Sequence, residues 1–347
     1  MNRLTTFNPG PSTLYPFVQE LMNDAFTSGI LESSHRSSDF IQMYFDTREH
    51  IHLRLNLPRD YQVYFLGSAT EAWNVVCEGY VSRKSIHFYS GDFGRKWFEY
   101  AKKIHPESVG ISFDPNCLPN ETIVSDADLI ALTQNETSNG SRVGCDTIAQ
   151  YKKRYPHAIV AVDATSSMAG IELDFSVGDL WFASVQKCFG LPSGLCVLFA
   201  SPQAVEKMNV VSFRNRYNSA LAIHQMALKG QTVFTPNILG LFLLNGVLRR
   251  IENISSVHKR IVNRAEEAYR KITFQPYINS PICRSHTVLT YLCENPEKVM
   301  NTMMIKYRIR IGNGYGELKE STFRVANFPA CDDETFYNLI HQLNNLS

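Results

Sequence analysis

The chain reads as an α/β protein with a mostly parallel sheet, helices on both of its faces, and a smaller α+β unit after it. The first observation behind this is an alternation of short apolar runs with helix-period stretches from about residue 61 to 199, which implies crossover connections between parallel strands. The second is a change of texture after Thr235-Pro236-Asn237, where two long helical patterns lead into a short mixed tail. The third is length: 347 residues exceed the size at which a single core usually stops growing. The expected division is a large unit over 15–255 and a small unit over 256–347 that also takes in residues 1–14.

Taken in order, residues 61–66, 86–89, 109–113, 129–132, 159–162, 181–185 and 196–199 read as strands. Helical periods fall at 72–81, 97–104 and 148–155. Two long helices follow: 238–254 is strongly apolar and suits packing on the core, and 257–272 is rich in charge and suits an exposed face. The tail gives a strand at 286–293, a helix at 296–304, a strand at 322–326 and a terminal helix from Asp333. There is no internal repeat and no low-complexity linker.

Composition narrows the function. Lys and Arg total 34 against 33 acidic residues, so no charge excess drives binding to nucleic acid or anionic lipid. No apolar stretch approaches a membrane span, and Met1 to Pro9 lack the apolar segment of a signal peptide, so a soluble cytoplasmic protein is expected. Eight cysteines without a Cys-x-x-Cys pair argue against zinc or a redox dithiol. Cys188 is read as small apolar filling rather than a reactive thiol.

Lys187 carries most of the functional information. It lies between the apolar runs 181–186 and 194–199, where desolvation lowers its pKa and leaves neutral amine able to attack a carbonyl. Residues 158–162 form a fully apolar strand that delivers Asp163 at its carboxyl end, where ligands sit in open α/β sheets. A strand-end aspartate followed by such a lysine is the pairing used by pyridoxal phosphate (PLP) enzymes. Separately, Asp163 also reads as a turn cap and Lys187 as a solvated loop charge.

Further segments gain meaning only together with this pair. Gly67-Ser68-Ala69-Thr70 is a turn into a helix, where free N–H groups can cradle a phosphate or Ser68 and Thr70 can simply cap. Phe93, between Gly91 and Gly94 after the second strand, can lie over a flat ring or close the sheet end. Asn135-Glu136-Thr137-Ser138 can orient a ring hydroxyl or make a turn. Arg324, in the strand 322–326, suits a substrate carboxylate or a structural ion pair, and His35 and Arg36 form a second polar cluster for an anionic substrate end.

The order of these segments is itself a signature. Asn8-Pro9-Gly10-Pro11, Ser34-His35-Arg36-Ser37, Gly67-Ser68-Ala69-Thr70-Glu71-Ala72, Gly91-Asp92-Phe93-Gly94-Arg95-Lys96-Trp97, Asn135-Glu136-Thr137-Ser138, Val162-Asp163-Ala164-Thr165-Ser166-Ser167, Ser184-Val185-Gln186-Lys187 and Phe323-Arg324-Val325 span nearly the whole chain. In that order they resemble the class V aminotransferases of PLP fold type I, the group of alanine-glyoxylate and serine-pyruvate aminotransferases and, more distantly, phosphoserine aminotransferase. The resemblance implies PLP as cofactor, with Lys187 as its covalent tether, Asp163 at the pyridine nitrogen and Phe93 stacked on the ring. It also implies Ser68, Ala69, Thr70 and Gln186 around the phosphate, Thr137 and Thr165 near the ring, and Arg324 as carboxylate anchor. Thr235 would reach the phosphate of a neighbouring subunit's cofactor, which implies a homodimer with active sites at the interface.

The implied reaction moves the amino group of a small amino acid, of phosphoserine, serine or alanine type, to a 2-oxo acid such as 2-oxoglutarate, glyoxylate or pyruvate. Phosphoserine aminotransferases carry a second basic His-Arg pair shortly before the carboxylate arginine. Here that region is Gly312-Asn313-Gly314-Tyr315-Gly316, and Phe234 stands before Thr235 where relatives usually have a polar residue. The alternatives are a PLP-dependent lyase or desulfurase, which would need a cysteine over the cofactor, and a non-catalytic relative, which would need neither Lys187 nor Asp163.

Overall fold

The computed structural model describes residues 4–119, 126–208 and 216–346. In chain order the strands are β1 (Thr5–Phe7), β2 (Gln62–Leu66), β3 (Ser85–Tyr89), β4 (Val109–Ser112), β5 (Leu129–Thr133), β6 (Asn135–Glu136), β7 (Ser141–Arg142), β8 (Ile159–Asp163), β9 (Leu180–Ser184), β10 (Cys196–Ala200), β11 (Val288–Leu292), β12 (Ile309–Asn313) and β13 (Thr322–Ala326). Seven of them form one sheet in the order β2-β10-β9-β8-β5-β3-β4. Its pairs are parallel except those of β10, which runs antiparallel to both β2 and β9. Each strand of this sheet overlaps a run expected from sequence.

The central strands are apolar because both of their faces are covered. Every residue of β8, β9 and β10 is buried. Helices Ala69–Tyr80, Asp92–Ile104 and Cys145–Arg154 occupy the connections. All three begin earlier than the sequence suggests, and for two of them the cap shows why. Ser68 Oγ accepts the Glu71 N–H at 3.1 Å, while the Glu71 carboxylate takes the Gly67 N–H at 2.7 Å, a shifted form of the capping box. For the helix Asp92–Ile104 the cap is remote: the N–H groups of Asp92, Phe93 and Gly94 donate to Ser138 Oγ, Glu136 Oε1 and Glu136 Oε2. A local reading cannot see such a cap.

A second sheet has the order β1-β12-β13-β11, with β1 parallel to β12 and β13 antiparallel to its neighbours. Helices Ile254–Lys271, Pro296–Tyr307 and Asp333–Asn344 supply its core with Ala265, Met303, Phe336 and Leu339. The long helix joins the two units, since its Ile254, Val257 and Ile261 lie in the large core and Ala265 and Ala268 in the small one. Strands β1 and β12 and helices Val18–Thr27 and Ser38–Leu55 were not foreseen; the two helices lie against Ile238–Arg250. No helix among the described residues is long and apolar enough to cross a membrane.

Candidate active site

The carboxyl ends of β2, β5, β8 and β9 converge on a cavity of about 290 Å³, near the lower bound for small-molecule sites. Its walls include Gly10, Pro11, Ser68, Ala69, Thr70, Trp73, Phe93, Thr137, Asp163, Thr165, Ser184, Gln186 and Lys187. Nine residues expected from sequence are thus brought together. A more open groove of about 880 Å³, bordered by Thr273, Leu292 and Lys298, contains none of them.

Lys187 is buried, and its Nζ donates to the Pro9 carbonyl at 2.8 Å and lies 5.9 Å from the Phe93 ring centroid. Burial lowers its pKa from 10.5 to about 8, with the Arg324 cation adding to the effect and the Asp163 carboxylate opposing it. A sizeable neutral fraction therefore exists near physiological pH. Gly10 leaves the room this requires, because a Cβ there would stand 2.7 Å from Lys187 Nζ.

Asp163 ends β8 and is held on both oxygens. The Thr165 N–H donates to Oδ1 at 2.9 Å and the Trp73 indole N–H to Oδ2 at 3.1 Å. Burial pushes its carboxyl pKa up, and these donors together with Lys187 pull it back. At the other end of the cavity, the first turn of Ala69–Tyr80 presents backbone donors. Ala69 N–H is taken by Ser184 Oγ at 2.8 Å and Glu71 N–H by Ser68, which leaves Thr70 N–H without a partner among the described residues. Gln186 Oε1 is buried and likewise unpartnered.

Arg324 approaches from β13. Its Nε donates to the Asn313 carbonyl at 2.7 Å and its Nη1 to the Thr137 carbonyl at 2.7 Å, so it spans the two sheets' loops with Nη2 left over. Burial lowers its pKa to about 10, opposed by Tyr315 and Glu136. Thr137 Oγ1 donates to Ser166 Oγ at 2.9 Å, which fixes the turn that Arg324 grips.

The profile described as Aminotransferase class-V matches residues 105–307, more than half of the chain. The chain belongs to the class V aminotransferases. A phosphoserine aminotransferase of Cytophaga hutchinsonii ATCC 33406 has a similar structure, with a TM-score of 0.94, 31% identity and 99% of each chain covered. An alanine-glyoxylate aminotransferase of Nostoc sp. shares the fold at a TM-score of 0.83 and 19% identity, over 100% of this chain and 96% of that one. Among curated sequences, a phosphoserine aminotransferase of Corynebacterium glutamicum (strain R) is 28% identical, covering 94% of this chain and 90% of its own.

Class V aminotransferases transfer amino groups with pyridoxal phosphate, and the cavity fits that group. One end offers an unpaired backbone N–H, that of Thr70, at a helix N-terminus, suited to a phosphate. The other offers a buried carboxylate suited to a protonated ring nitrogen, and between them lies a lysine with a lowered pKa. When bound, the cofactor supplies an electron sink for charge developing on the donor's Cα. Lys187 can then hold or move a proton at that carbon, and Phe93 limits where a flat ring can lie.

Four expected residues do not line this cavity: Arg324, which reaches the Thr137 carbonyl from β13, and three others. His35 and the exposed Arg36 precede the helix Ser38–Leu55, and Thr235 is exposed ahead of the helix Ile238–Arg250. Sequence reasoning missed four others. Trp73 is one residue past the Gly67 to Ala72 segment, and its position at the start of the second turn of that helix was an available signal. Glu136 was seen only as part of a turn, yet it is buried and caps the helix bearing Phe93. Pro9 and Gly10 were noticed as a segment without a role. No cysteine lines the cavity; Cys188 is buried away from it, with its thiol pKa pushed up by burial.

Proposed function

We propose that this aminotransferase takes the amino group from phosphoserine and delivers it to 2-oxoglutarate. The observation that carries this reading is the full-length likeness, at 31% identity, to a phosphoserine aminotransferase. In this reading Lys187 tethers PLP, Asp163 pairs with its ring nitrogen, and Phe93 stacks on the ring. Ser68, Ala69, Thr70 and Gln186 hold the phosphate, Thr137 and Thr165 flank the ring, and Arg324 takes the donor's α-carboxylate. A small neutral donor such as alanine or serine is the second reading, favoured by Gly314-Tyr315-Gly316 in place of a basic pair.

Single-turnover half-reactions with phosphoserine, glutamate, serine and alanine decide between them. Phosphoserine and glutamate should each exceed alanine in specificity by at least about tenfold, the worth of one charge-assisted hydrogen bond to the distal anion. Alanine or serine as the best donor would overturn the phosphoserine reading.

The working unit is a homodimer in the cytoplasm, and Thr235, His35 and Arg36 serve the partner's cavity. Their location outside their own cavity supports this, as do the exposed side chains of Phe45 on the helix Ser38–Leu55 and Leu228 beside Gly230, which itself packs on Phe45. Light scattering should give twice the mass of one chain at micromolar concentration. A monomer with full activity would refute the shared site.

A further inference from the structure

Segment 314–318, which follows β12, is pressed against the first turns of the helix Asp92–Ile104. A Cβ on Gly316, at φ +57°, would run into the Asp92 carboxylate. The Tyr315 ring stacks on Phe93 with centroids 5.0 Å apart and planes 30° apart, and the Arg324 guanidinium carbon sits 5.5 Å from the Tyr315 centroid. Lys96, one turn beyond Phe93, puts its Nζ 2.6 Å from Tyr315 Oη, 4.7 Å from that ring's centroid and 5.7 Å from that of Phe93.

The neighbouring cations are already engaged. Arg95 is paired with Asp92 at 2.5 Å and with Glu99 at 2.8 Å. Arg324 gives two of its nitrogens to backbone carbonyls. Lys96 forms no salt bridge among the described residues and is solvent-exposed. An ammonium has three hydrogens to donate and the Tyr315 oxygen takes one. Two remain for a ligand, on an amine whose stem is steadied by two aromatic rings.

We propose that Lys96, positioned by Tyr315, is a cation that binds the distal anionic group of the amino donor, alongside any charge that the partner's residues bring. This rests on the phosphoserine reading of the same site and supplies the charge that segment 312–316 lacks. Lys187 and Lys96 lie at comparable distances from the Phe93 ring. In the proposed pose a donor whose α-carboxylate is on Arg324 and whose Cα is at Lys187 extends its side chain past Phe93 towards Lys96. A phosphate or a side-chain carboxylate satisfies a point charge of this kind, and a methyl group does not.

The test uses PLP-loaded full-length enzyme and three variants. Lys96→Met keeps the stem over the rings and removes the charge, Lys96→Arg restores a cation, and Tyr315→Phe keeps the stacked ring and removes the hydroxyl. Half-reactions are measured with phosphoserine, glutamate and alanine, and inorganic phosphate is titrated as an inhibitor. In Lys96→Met the phosphoserine-to-alanine and glutamate-to-alanine specificity ratios should fall about 10- to 100-fold through half-saturating concentration rather than maximal rate. Phosphate inhibition should weaken in parallel. Lys96→Arg should recover most of both, and Tyr315→Phe should fall between.

Equal losses for all three donors would reduce Lys96 to a brace between the helix and segment 314–318, and unchanged ratios would remove it from the site; either overturns the proposal. The wild-type panel reports separately on the underlying reading. If wild-type enzyme prefers alanine, the phosphoserine reading and the role of Lys96 fall together. If wild type prefers phosphoserine and Lys96→Met keeps that preference, only the role of Lys96 falls.

Discussion

Lys187→Ala is expected to release the cofactor from covalent attachment and to slow the amino-transfer half-reaction by at least about 10⁴-fold, the upper range for a positioned proton-transfer group. The loss combines two roles in one amine, attachment of the cofactor and proton movement at the donor's Cα. Two observables check it: visible absorbance of the attached cofactor, and single-turnover rate with an effective donor. A variant that kept both would reduce Lys187 to a buried charge. The amine's pKa of about 8 adds a pH dependence with a definite sign. Above that value the neutral, attacking form dominates, and below it the ammonium does. Attachment of added PLP to cofactor-free protein, trapped by borohydride, should accelerate with rising pH and level off near 8. Continued acceleration towards the ordinary lysine value of 10.5 would indicate a solvated side chain.

Asp163→Asn should retain PLP through Lys187 and yet slow the half-reaction by about 10²- to 10⁴-fold. That range follows from about 3–5 kcal/mol for a buried charge left without its partner, at 1.36 kcal/mol per decade of rate. The substitution is nearly isosteric, and its effect is local. Thr165 N–H can still donate to the amide oxygen, but the amide nitrogen then faces the Trp73 indole N–H, donor against donor. No anion is left to keep the ring nitrogen protonated. Stopped-flow spectra with phosphoserine would measure the change, and a near-normal rate would mean that Asp163 only caps β8.

The central strands of the large sheet were legible because burial on both faces makes each a continuous apolar run, as in residues 159–162 and 180–183. Direction was not legible. The run 196–200 looks like its neighbours but lies antiparallel, because only the loop through Lys187 separates it from β9 and no helix intervenes. Lys187, Asp163 and Arg324 could be found because a charge at the end of, or within, an apolar run is conspicuous. Trp73 and Glu136 could not be assigned in this way, since an indole and a carboxylate in polar surroundings gain their roles from partners 90 and 42 residues away. The helix Ser38–Leu55 was a missed signal: Phe40, Met43, Tyr44, Thr47, Ile51 and Leu55 bury one face at helical spacing.

The strand β1 leads within two residues to Pro9, whose carbonyl receives Lys187, and it pairs with β12 in the sheet that also holds Arg324. Arg324, the proposed carboxylate anchor, and the carbonyl that receives the reactive amine are therefore carried by one sheet. If that small sheet shifts when a donor binds, both move together, and the displacement of Lys187 from its carbonyl rest is then coupled through the backbone of residues 7–10 to the approach of Arg324, whatever the donor's side chain.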